Sequence, residues 1–185
     1  MNIIIFHGTD CKPTDYWYLW LAEQLRKSGH MAEVPSLVRI NQEPLDDTLT
    51  QVFAKFPPES FDENTILVGH SAGAPLILSI LEKVNQPIKR AILVSGYSTR
   101  YDEAPDPVLQ SLYDFAKIKQ NCRDFIFINS TDDPWGCDDK QGRILFDNLG
   151  GTQIIKKEGH FGSTSYNQPY KKFPLLLELV EMESK

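Results

Sequence analysis

Six short runs rich in β-branched and apolar residues alternate along the chain with six stretches of helical pattern. Strands that alternate with helices form βα repeats, and continuous apolar strands are typical of a parallel sheet covered on both faces. The alternation therefore predicts an α/β fold with a mainly parallel sheet of about six strands. The predicted strands cover residues 2–6, 32–37, 65–69, 90–96, 124–130 and 152–157, and the predicted helices cover residues 16–27, 45–55, 72–84, 107–118, 138–148 and 170–183.

The length and composition correspond to one globular domain that spans residues 1–185. The chain has 185 residues, of which 41% are hydrophobic and 24% are charged, as in an ordinary folded domain. Its 19 Lys and Arg against 25 Asp and Glu give a net charge of -6, and no basic stripe runs along the sequence. Because nucleic acid and anionic membranes attract positively charged surfaces, we expect neither as a partner.

Neither targeting segments nor metal and disulfide sites are expected from the sequence. The N-terminal stretch MNIIIFHGTD lacks the basic region and the cleavage site of a secretory signal, and it is typical of a first strand. The most apolar window, residues 65–81, is shorter than a membrane-spanning helix and is interrupted by polar residues. The three cysteines, Cys11, Cys122 and Cys137, are widely scattered and lack CxxC spacing. They are expected to be reduced thiols of a cytoplasmic protein, without a disulfide framework or a zinc site.

The segment TILVGHSAGAPL, residues 65–76, carries a G-x-S-x-G motif between a predicted strand and a predicted helix. In this context the motif is typical of a nucleophile elbow, a sharp turn that presents a serine at the edge of the sheet. Gly69 and Gly73 leave room where a Cβ would clash with the crossing backbone, and the start of a helix favours a developing negative charge. Ser71 is therefore the candidate nucleophile, although a packing turn rich in small residues has the same pattern.

A serine nucleophile needs a base, which is most often a histidine, and the chain has four histidines. His70 adjoins Ser71 in the same turn, so its ring is expected to point away from the hydroxyl. His30 precedes the second strand and is expected at the surface, and His7 ends the first strand in a loop suited to anion stabilisation. His160 lies between the last strand and the last helix, at the edge where the carboxyl ends of parallel strands meet, and is the candidate base.

The acid that orients the base is expected between Ser71 and His160, because triads on this kind of sheet follow the order Ser, Asp or Glu, His. The segment FIFINSTDDPWG places Asp132 and Asp133 directly after an apolar strand. Either carboxylate could instead cap a solvated turn. We assign Asp133 as the acid because Pro134 restricts the backbone directly after it, and Asp132 remains the alternative.

Six motifs, spread in order over nearly the whole chain, resemble the α/β-hydrolases and, within them, the small serine hydrolases typified by retinoblastoma-binding protein nine: FHGTD, VGHSAGA, LVSGY, KIKQNC, STDDP and EGHF. The resemblance implies a three-layer sandwich, a minimal α/β-hydrolase fold without the large cap of bigger relatives. It also implies that Ser71, Asp133 and His160 are the nucleophile, acid and base, which favours the second aspartate of STDDP. No L-x-C-x-E stretch is present, so retinoblastoma binding is not implied.

Two backbone amides are expected to bind the oxyanion that forms when the serine attacks an acyl group. In nucleophile elbows one donor is the residue after the nucleophile, here Ala72, and the other lies in the loop after the first strand, here near Thr9. Tyr97, Trp135 and Phe161 adjoin the same loops. Each is a candidate for an apolar pocket wall, and each is equally consistent with the core.

Two local features bear on the shape of the predicted pocket. The family's usual hydrophobic residue and proline after the acid are replaced here by WGCDD, so the local pocket wall is expected to differ. The segment YDEAPDPV, residues 101–108, is typical of a surface loop. The stretch between the fourth strand and the next predicted helix is too short to fold a lid, so we expect an open, shallow acyl site.

The sequence thus predicts a serine hydrolase that cleaves a small carboxylic ester through an acyl-enzyme on Ser71, without a metal or cofactor. Thioesterase or amidase action uses the same triad and stays open. A non-catalytic interaction module on the same fold is the alternative from a different class, and the complete triad argues against it. The expected partner is a small acyl substrate, and the existence of a protein partner stays open.

Overall fold

The computed structural model describes residues 1–37, 39–100 and 105–183. Its strands are β1 Asn2–Phe6, β2 Met31–Glu33, β3 Thr65–His70, β4 Arg90–Val94, β5 Phe125–Ser130 and β6 Thr152–Lys156. Its α-helices are α1 Tyr18–Lys27, α2 Leu45–Lys55, α3 Gly73–Leu81, α4 Phe115–Gln120, α5 Asp139–Leu149 and α6 Pro174–Glu181. A 3₁₀ turn, Pro58–Ser60, leads from α2 towards β3.

The six strands form one parallel sheet in the order β2-β1-β3-β4-β5-β6. The α/β class and the parallel sheet predicted from the alternating pattern are confirmed. Strands β3 and β4 lie in the middle and are buried at every residue, which explains their nearly unbroken apolar sequence. Because all six strands run in the same direction, the loops that follow them gather at one edge of the sheet.

Helices cover both faces of the sheet and give the fold three layers. On one face α1 and α6 bury apolar side chains, among them Leu21 and Leu176, against the strands. On the other face α2, α3, α4 and α5 contribute a second core that includes Leu49, Ile77 and Leu145. Each large aliphatic side chain buried in this way contributes about 1.5 to 3 kcal/mol, so the two cores are the main stabilising element of the sheet and its edge loops.

The helix predicted at residues 107–118 is wrong over most of its length. Only Phe115–Gln120 is helical, and the Asp114 carboxylate caps its start by accepting a backbone N–H of the first turn at 3.0 Å. Upstream of the cap, tertiary contacts hold the backbone in irregular form. The Val108 N–H, for example, donates to Oδ1 of Asn41 at 3.1 Å. These contacts override a local pattern that is compatible with a helix.

The second strand and the last helix are both shorter than predicted. Strand β2 ends at Glu33 rather than at residue 37 because Pro35 has no N–H to donate to a ladder. Helix α6 begins at Pro174 rather than at residue 170, with the proline in its first turn. The boundaries of the remaining predicted elements agree with the structure to within three residues.

Neither a large cap nor a long apolar helix is found in the described ranges. Residues 101–104 of the predicted surface loop at 101–108 lie outside these ranges. The part that is described begins with exposed Pro105 and leads to Val108, which is buried in the core. Within residues 1–37, 39–100 and 105–183, no helix has the length and apolar character needed to cross a lipid bilayer.

Candidate active site

Ser71 lies in the turn between β3, which ends at His70, and α3, which begins at Gly73. Its backbone φ is 52°, in the left-handed region that a serine rarely adopts. The Ser71 N–H donates to the carbonyl oxygen of Val94 at 2.9 Å, which ties the turn to the neighbouring strand β4. The partly exposed Ser71 therefore stands at the edge of the sheet, in the strained turn that the motif predicts.

The two glycines of the motif occupy positions where no side chain fits. A Cβ on Gly69 would lie 2.5 Å from the carbonyl oxygen of Gly73, and a Cβ on Gly73 would lie 2.4 Å from the carbonyl oxygen of Phe6. The clashing atoms belong to the backbone and cannot rotate away as a flexible side chain would. The close crossing of strand and helix therefore requires glycine at both positions.

Asp133 and His160 meet at the same edge of the sheet, on the loops that follow β5 and β6. Nδ1 of His160 lies 2.8 Å from Oδ2 and 3.0 Å from Oδ1 of Asp133, and both residues are buried. The carboxylate also accepts a hydrogen bond from Oγ of Ser95 at 2.8 Å and another from the Trp135 N–H at 2.9 Å. Because Nδ1–H of His160 donates to the carboxylate, Nε2 of the neutral ring is left with a free lone pair.

The hydrogen bonds around Asp133 keep it ionised. Burial alone would raise the pKa of the carboxyl, but the hydrogen bond and charge of His160, the Trp135 N–H and the Ser95 hydroxyl lower it further than burial raises it. The pKa of Asp133 therefore lies below its ordinary value of 3.8. At neutral pH the carboxylate can stabilise a positive charge on the His160 ring.

The two neighbouring aspartates, which the sequence leaves as alternatives, have different partners in the structure. Asp133 contacts the His160 ring, whereas Oδ1 of Asp132 accepts the Gly159 N–H at 3.0 Å. Asp132 is exposed and Asp133 is buried. Asp132 therefore ties the loop after β5 to the loop that carries His160, whereas the ring donates its hydrogen bond to Asp133.

The two expected oxyanion donors lie on either side of Ser71. Ala72 is the residue before the first turn of α3, and Thr9 lies in the loop after β1. That loop approaches closely, since a Cβ on Gly8 would lie 3.2 Å from the Cβ of Ser71. Within the described part of the chain, neither the Thr9 nor the Ala72 amide donates a hydrogen bond to a protein acceptor. Thr9 lines the cavity beside Ser71, whereas Ala72 is fully buried, so the donor role of its N–H stays a prediction.

A cavity of about 370 Å³ opens at this edge and is lined by Thr9, Ser71 and His160. Of the three aromatic residues that the sequence offers as pocket walls, Tyr97 and Trp135 line the cavity. Phe161 lies in the core instead, where its fully buried ring stacks on Phe173 with the two ring centroids 5.3 Å apart. Trp135 is 41% exposed, so the cavity mouth has one aromatic wall open to solvent.

Two polar contacts of this site are not predicted from the sequence. Ser95, at the end of β4, donates to Asp133, and Gln168 accepts the His160 N–H at 2.9 Å through Oε1. Ser95 belongs to the LVSGY motif and its position at a strand end is a signal that could have identified it. Gln168 lies in an irregular loop, where no local pattern indicates which residue will face His160.

All three cysteines are free thiols. Cys11 lines the cavity, but burial raises the pKa of its thiol to about 11, so it is protonated at neutral pH and is a poor competitor to a serine nucleophile. Cys122 and Cys137 are buried. In the described ranges, no group of three or more His, Cys, Asp or Glu side chains is arranged to hold a metal ion.

The fold is the minimal α/β-hydrolase fold, with six parallel strands, helices on both faces and a strand–serine–helix turn at the edge of the sheet. A solved structure, the ydeN gene product of Bacillus subtilis, superposes on it with a TM-score of 0.83 and 26% sequence identity, over 97% of this chain and 96% of that chain. The model of the family described as serine hydrolase matches residues 3–179. The protein belongs to the serine hydrolase family.

Similar sequences agree with this assignment. YdeN of Bacillus subtilis (strain 168) is 30% identical over 136 residues, which cover 71% of this chain and 70% of YdeN. The serine hydrolase RBBP9 of Rattus norvegicus is 31% identical over 115 residues, or 58% of each chain. Polyneuridine aldehyde esterase of Rauvolfia serpentina is 26% identical over 155 residues, 78% of this chain but only 54% of the esterase. The resemblance to small serine hydrolases found in the sequence motifs is confirmed.

Proposed function

We propose that the protein hydrolyses a small carboxylic ester through an acyl-enzyme on Ser71, with His160 as the base and Asp133 as the acid that orients it. The observation that carries the proposal is that His160, whose Nδ1 lies 2.8 Å from Oδ2 of Asp133, lines the same cavity as Ser71. A buried acid–histidine pair that only stabilised the fold would not need to open onto a cavity beside a strained serine. The arrangement is suited to nucleophilic catalysis.

In the first proposed step, Oγ of Ser71 attacks the carbonyl carbon of the ester while Nε2 of His160 takes the hydroxyl proton. Nε2 can accept this proton because the ring's other N–H is donated to Asp133. The ionised carboxylate stabilises the imidazolium that forms. The carbonyl oxygen becomes an oxyanion, for which the amide N–H groups of Thr9 and Ala72 are the proposed donors.

In the second proposed step the tetrahedral intermediate collapses, and the bond to the leaving alcohol breaks. The imidazolium of His160 returns its proton to the leaving oxygen, and the acyl group stays on Ser71. A water molecule then attacks the acyl carbon while His160 again accepts a proton. The bond between the acyl carbon and Oγ of Ser71 breaks, His160 gives the proton to Oγ, and the carboxylic acid leaves. Serine and histidine return to their starting protonation states, so the cycle needs no cofactor.

Two observations support a small ester as the substrate. The cavity of about 370 Å³ is near the lower end of the 300 to 1,000 Å³ that is usual for small-molecule sites. A protein similar over 155 residues carries the name polyneuridine aldehyde esterase. The same catalytic groups would act on thioesters and amides, so matched nitrophenyl ester, thioester and anilide substrates with one acyl group would rank the three bond types.

Labelling with a fluorophosphonate tests the proposed nucleophile directly. Such a probe reacts with an activated serine, so we expect it to label the wild-type protein and not the Ser71→Ala variant. Ser79→Ala is the matched control, because Ser79 lies on the same helix α3 and its hydroxyl bonds to the Pro75 carbonyl, away from the cavity. Equal labelling of Ser71→Ala and wild type would show that another residue is the nucleophile.

A further inference from the structure

A chain of three buried hydrogen bonds runs from the loop after β1 to the loop after β6. The Gly8 N–H donates to Oη of Tyr18 at 3.4 Å. Oη of Tyr18 lies 2.5 Å from Nδ1 of His70, and Nε2 of His70 lies 2.7 Å from the carbonyl oxygen of His160. The side chains of Tyr18 and His70 are fully buried, so no solvent competes for these bonds.

The direction of each hydrogen bond follows from the chemistry of the partners. A carbonyl oxygen can only accept, so Nε2 of His70 must carry a hydrogen for its bond to His160. Burial lowers the pKa of His70 to about 3, with the proximity of His160 as a further cause, so the ring is neutral and Nδ1 is bare. The Tyr18 hydroxyl therefore donates to Nδ1, and its oxygen accepts the N–H of Gly8.

The two ends of this hydrogen-bond chain adjoin residues that have a catalytic role in the proposed mechanism. Gly8 is next to Thr9, a proposed oxyanion donor. At the other end, the backbone of His160 is held on both sides, because its N–H donates to Gln168 at 2.9 Å and its carbonyl oxygen accepts from His70. Strands β1 and β6, which deliver these two loops, are separated in the sheet by β3, β4 and β5. The hydrogen-bond chain therefore links two loops directly, although the strands that precede them are far apart in the sheet.

We propose that Tyr18 and His70 are positioning residues that hold the base His160 and the oxyanion loop at Gly8 in one common geometry. This inference rests on the proposed function. Neither residue transfers a proton. Both act through the backbone atoms at the two ends of the hydrogen-bond chain, the Gly8 N–H and the His160 carbonyl oxygen. The linkage matters most in the transition state, where the base and the oxyanion donors must be in place at once.

A packing role for the same residues is the competing explanation. The rings of Tyr16, Trp17 and Tyr18 surround His70, with ring centroids 6.2, 5.8 and 5.7 Å from that of the imidazole. Packing alone would require the shapes of these rings and not the Tyr18 hydroxyl. Tyr18→Phe keeps the ring and removes the hydrogen bonds of the hydroxyl to Gly8 and His70, together with its interaction with the Cys11 thiol, so it separates the two explanations.

The first test is a double-mutant cycle on ester hydrolysis with Tyr18→Phe, His70→Leu and the pair. We expect each single variant to lower kcat about 10- to 100-fold with KM almost unchanged, because a misplaced catalytic group weakens the transition state selectively. Because each substitution breaks the same series of hydrogen bonds, the kcat of the double variant should be only a little lower than that of the more impaired single variant. Tyr113→Phe, which removes a buried hydroxyl near the Pro75 carbonyl, is the control and should keep kcat.

The second test is rescue by a donor. A glutamine side chain in place of this histidine would present an amide N–H near the position of Nε2, so His70→Gln should recover part of the kcat that His70→Leu loses. Nitrogen-15 NMR of the labelled wild-type protein should show His70 as the neutral tautomer with its hydrogen on Nε2 at pH 5. In Tyr18→Phe the Nδ1 signal should shift as its donor is lost. The NMR tests need no activity, and they remain informative where the leucine variant does not fold.

The outcomes separate this inference from the proposed function. Hydrolysis that requires Ser71 but is unaffected by Tyr18→Phe and His70→Leu would overturn the positioning role. The positioning role would also be overturned if the losses in kcat of Tyr18→Phe and His70→Leu were fully additive in the double variant. A wild-type His70 with its hydrogen on Nδ1 would overturn it as well. Hydrolysis that persists in Ser71→Ala would instead reject the proposed function, whatever the NMR spectra show about the hydrogen-bond chain.

Discussion

Ser95 and Asp133 are joined by a hydrogen bond of 2.8 Å that crosses from the end of β4 to the loop after β5. The Ser95 side chain is fully buried, and its backbone φ of 45° is again in the left-handed region. Its hydroxyl is directed to Oδ2, the same carboxylate oxygen that lies 2.8 Å from Nδ1 of His160. Ser95 therefore helps to fix the plane of the carboxylate relative to the imidazole.

Removal of this hydroxyl should impair His160, the proposed base, without abolishing activity. We expect Ser95→Ala to lower kcat/KM about tenfold, since a hydrogen bond to a charged group contributes about 1.5 to 3 kcal/mol and two other donors to Asp133 remain. Ester hydrolysis at several substrate concentrations measures the effect. Ser98→Ala is the matched control, because Oγ of Ser98 is buried and has no hydrogen-bond partner among the described residues. Equal kcat/KM in Ser95→Ala and wild type would contradict the positioning role.

The paired aspartates should differ sharply in their effect on turnover. Asp133→Asn leaves the shape of the side chain but removes the charge that orients and stabilises the His160 ring, so we expect a loss of about 10⁴-fold in kcat. Asp132→Asn keeps an oxygen for the Gly159 N–H and should cost much less. Steady-state rates of the two variants, measured on the same ester, give the ranking. A larger loss in Asp132→Asn would show that the acid is assigned to the wrong residue.

The elements of this site that could be predicted are those governed by local physical rules. The position of Ser71 follows from a strand, a helix and two glycines that no residue with a Cβ can replace, and all of this is contained in twelve consecutive residues. His160 and the aspartates are predictable as residues at strand ends, because parallel strands deliver their carboxyl ends to one edge. The choice of Asp133 over Asp132 rested on Pro134 and on the family resemblance, and of the two carboxylates it is Asp133 that contacts the His160 ring.

What could not be predicted depends on contacts between distant segments. Nothing local to Tyr18 indicates that its hydroxyl will meet His70, 52 residues further along the chain. The irregular stretch before α4 follows bonds to Asn41 and other remote groups, which outweighed its helical pattern. Phe161 adjoins the site in sequence, yet its ring stacks on Phe173 in the core. In each case tertiary packing, which a single sequence does not reveal, decided the outcome.

An ion pair between a fully buried arginine and a partly exposed aspartate, far from the candidate active site, is expected to hold the C-terminal helix. Nε of the fully buried Arg90 lies 2.6 Å from Oδ2 of Asp124, and Nη1 donates to the carbonyl oxygens of Leu179 and Met182 at 2.7 and 2.9 Å. Carbonyl groups at a helix C-terminus have no partners within the helix. Arg90 therefore joins strand β4, the start of β5 and the end of α6 in one network.

Replacement of Arg90 should destabilise the protein much more than replacement of an exposed arginine. We expect Arg90→Met to lower the free energy of unfolding by about 2 to 4 kcal/mol, because Asp124 and two carbonyl groups lose their donor. Arg123→Met is the control, since its pair with Glu63 is more than half exposed and should contribute at most about 1 kcal/mol. Urea unfolding of both variants gives the comparison, and equal losses would argue against the network.

The described part of the chain has no large cap above the cavity, and this bears on how substrate length affects the rate. A deep apolar tunnel would add about 0.8 kcal/mol for each buried methylene, which is a several-fold gain in kcat/KM per carbon. The cavity here holds about 370 Å³ and includes the polar side chains of Thr9, Asn41 and Ser163. Such a site can accommodate only a few carbons of an acyl chain before the chain reaches solvent.

We therefore expect hydrolysis of nitrophenyl esters to be fastest with short acyl chains, with kcat/KM falling as the chain lengthens and no rise at a lipid interface. The physical reason is that carbons beyond the cavity stay hydrated and gain no transfer free energy, while they still lose conformational freedom on binding. A series from acetate to decanoate, measured below the solubility limit of each ester, tests this, with Ser71→Ala as the background. A kcat/KM that keeps climbing through octanoate and decanoate would reveal a buried channel and would contradict the open site.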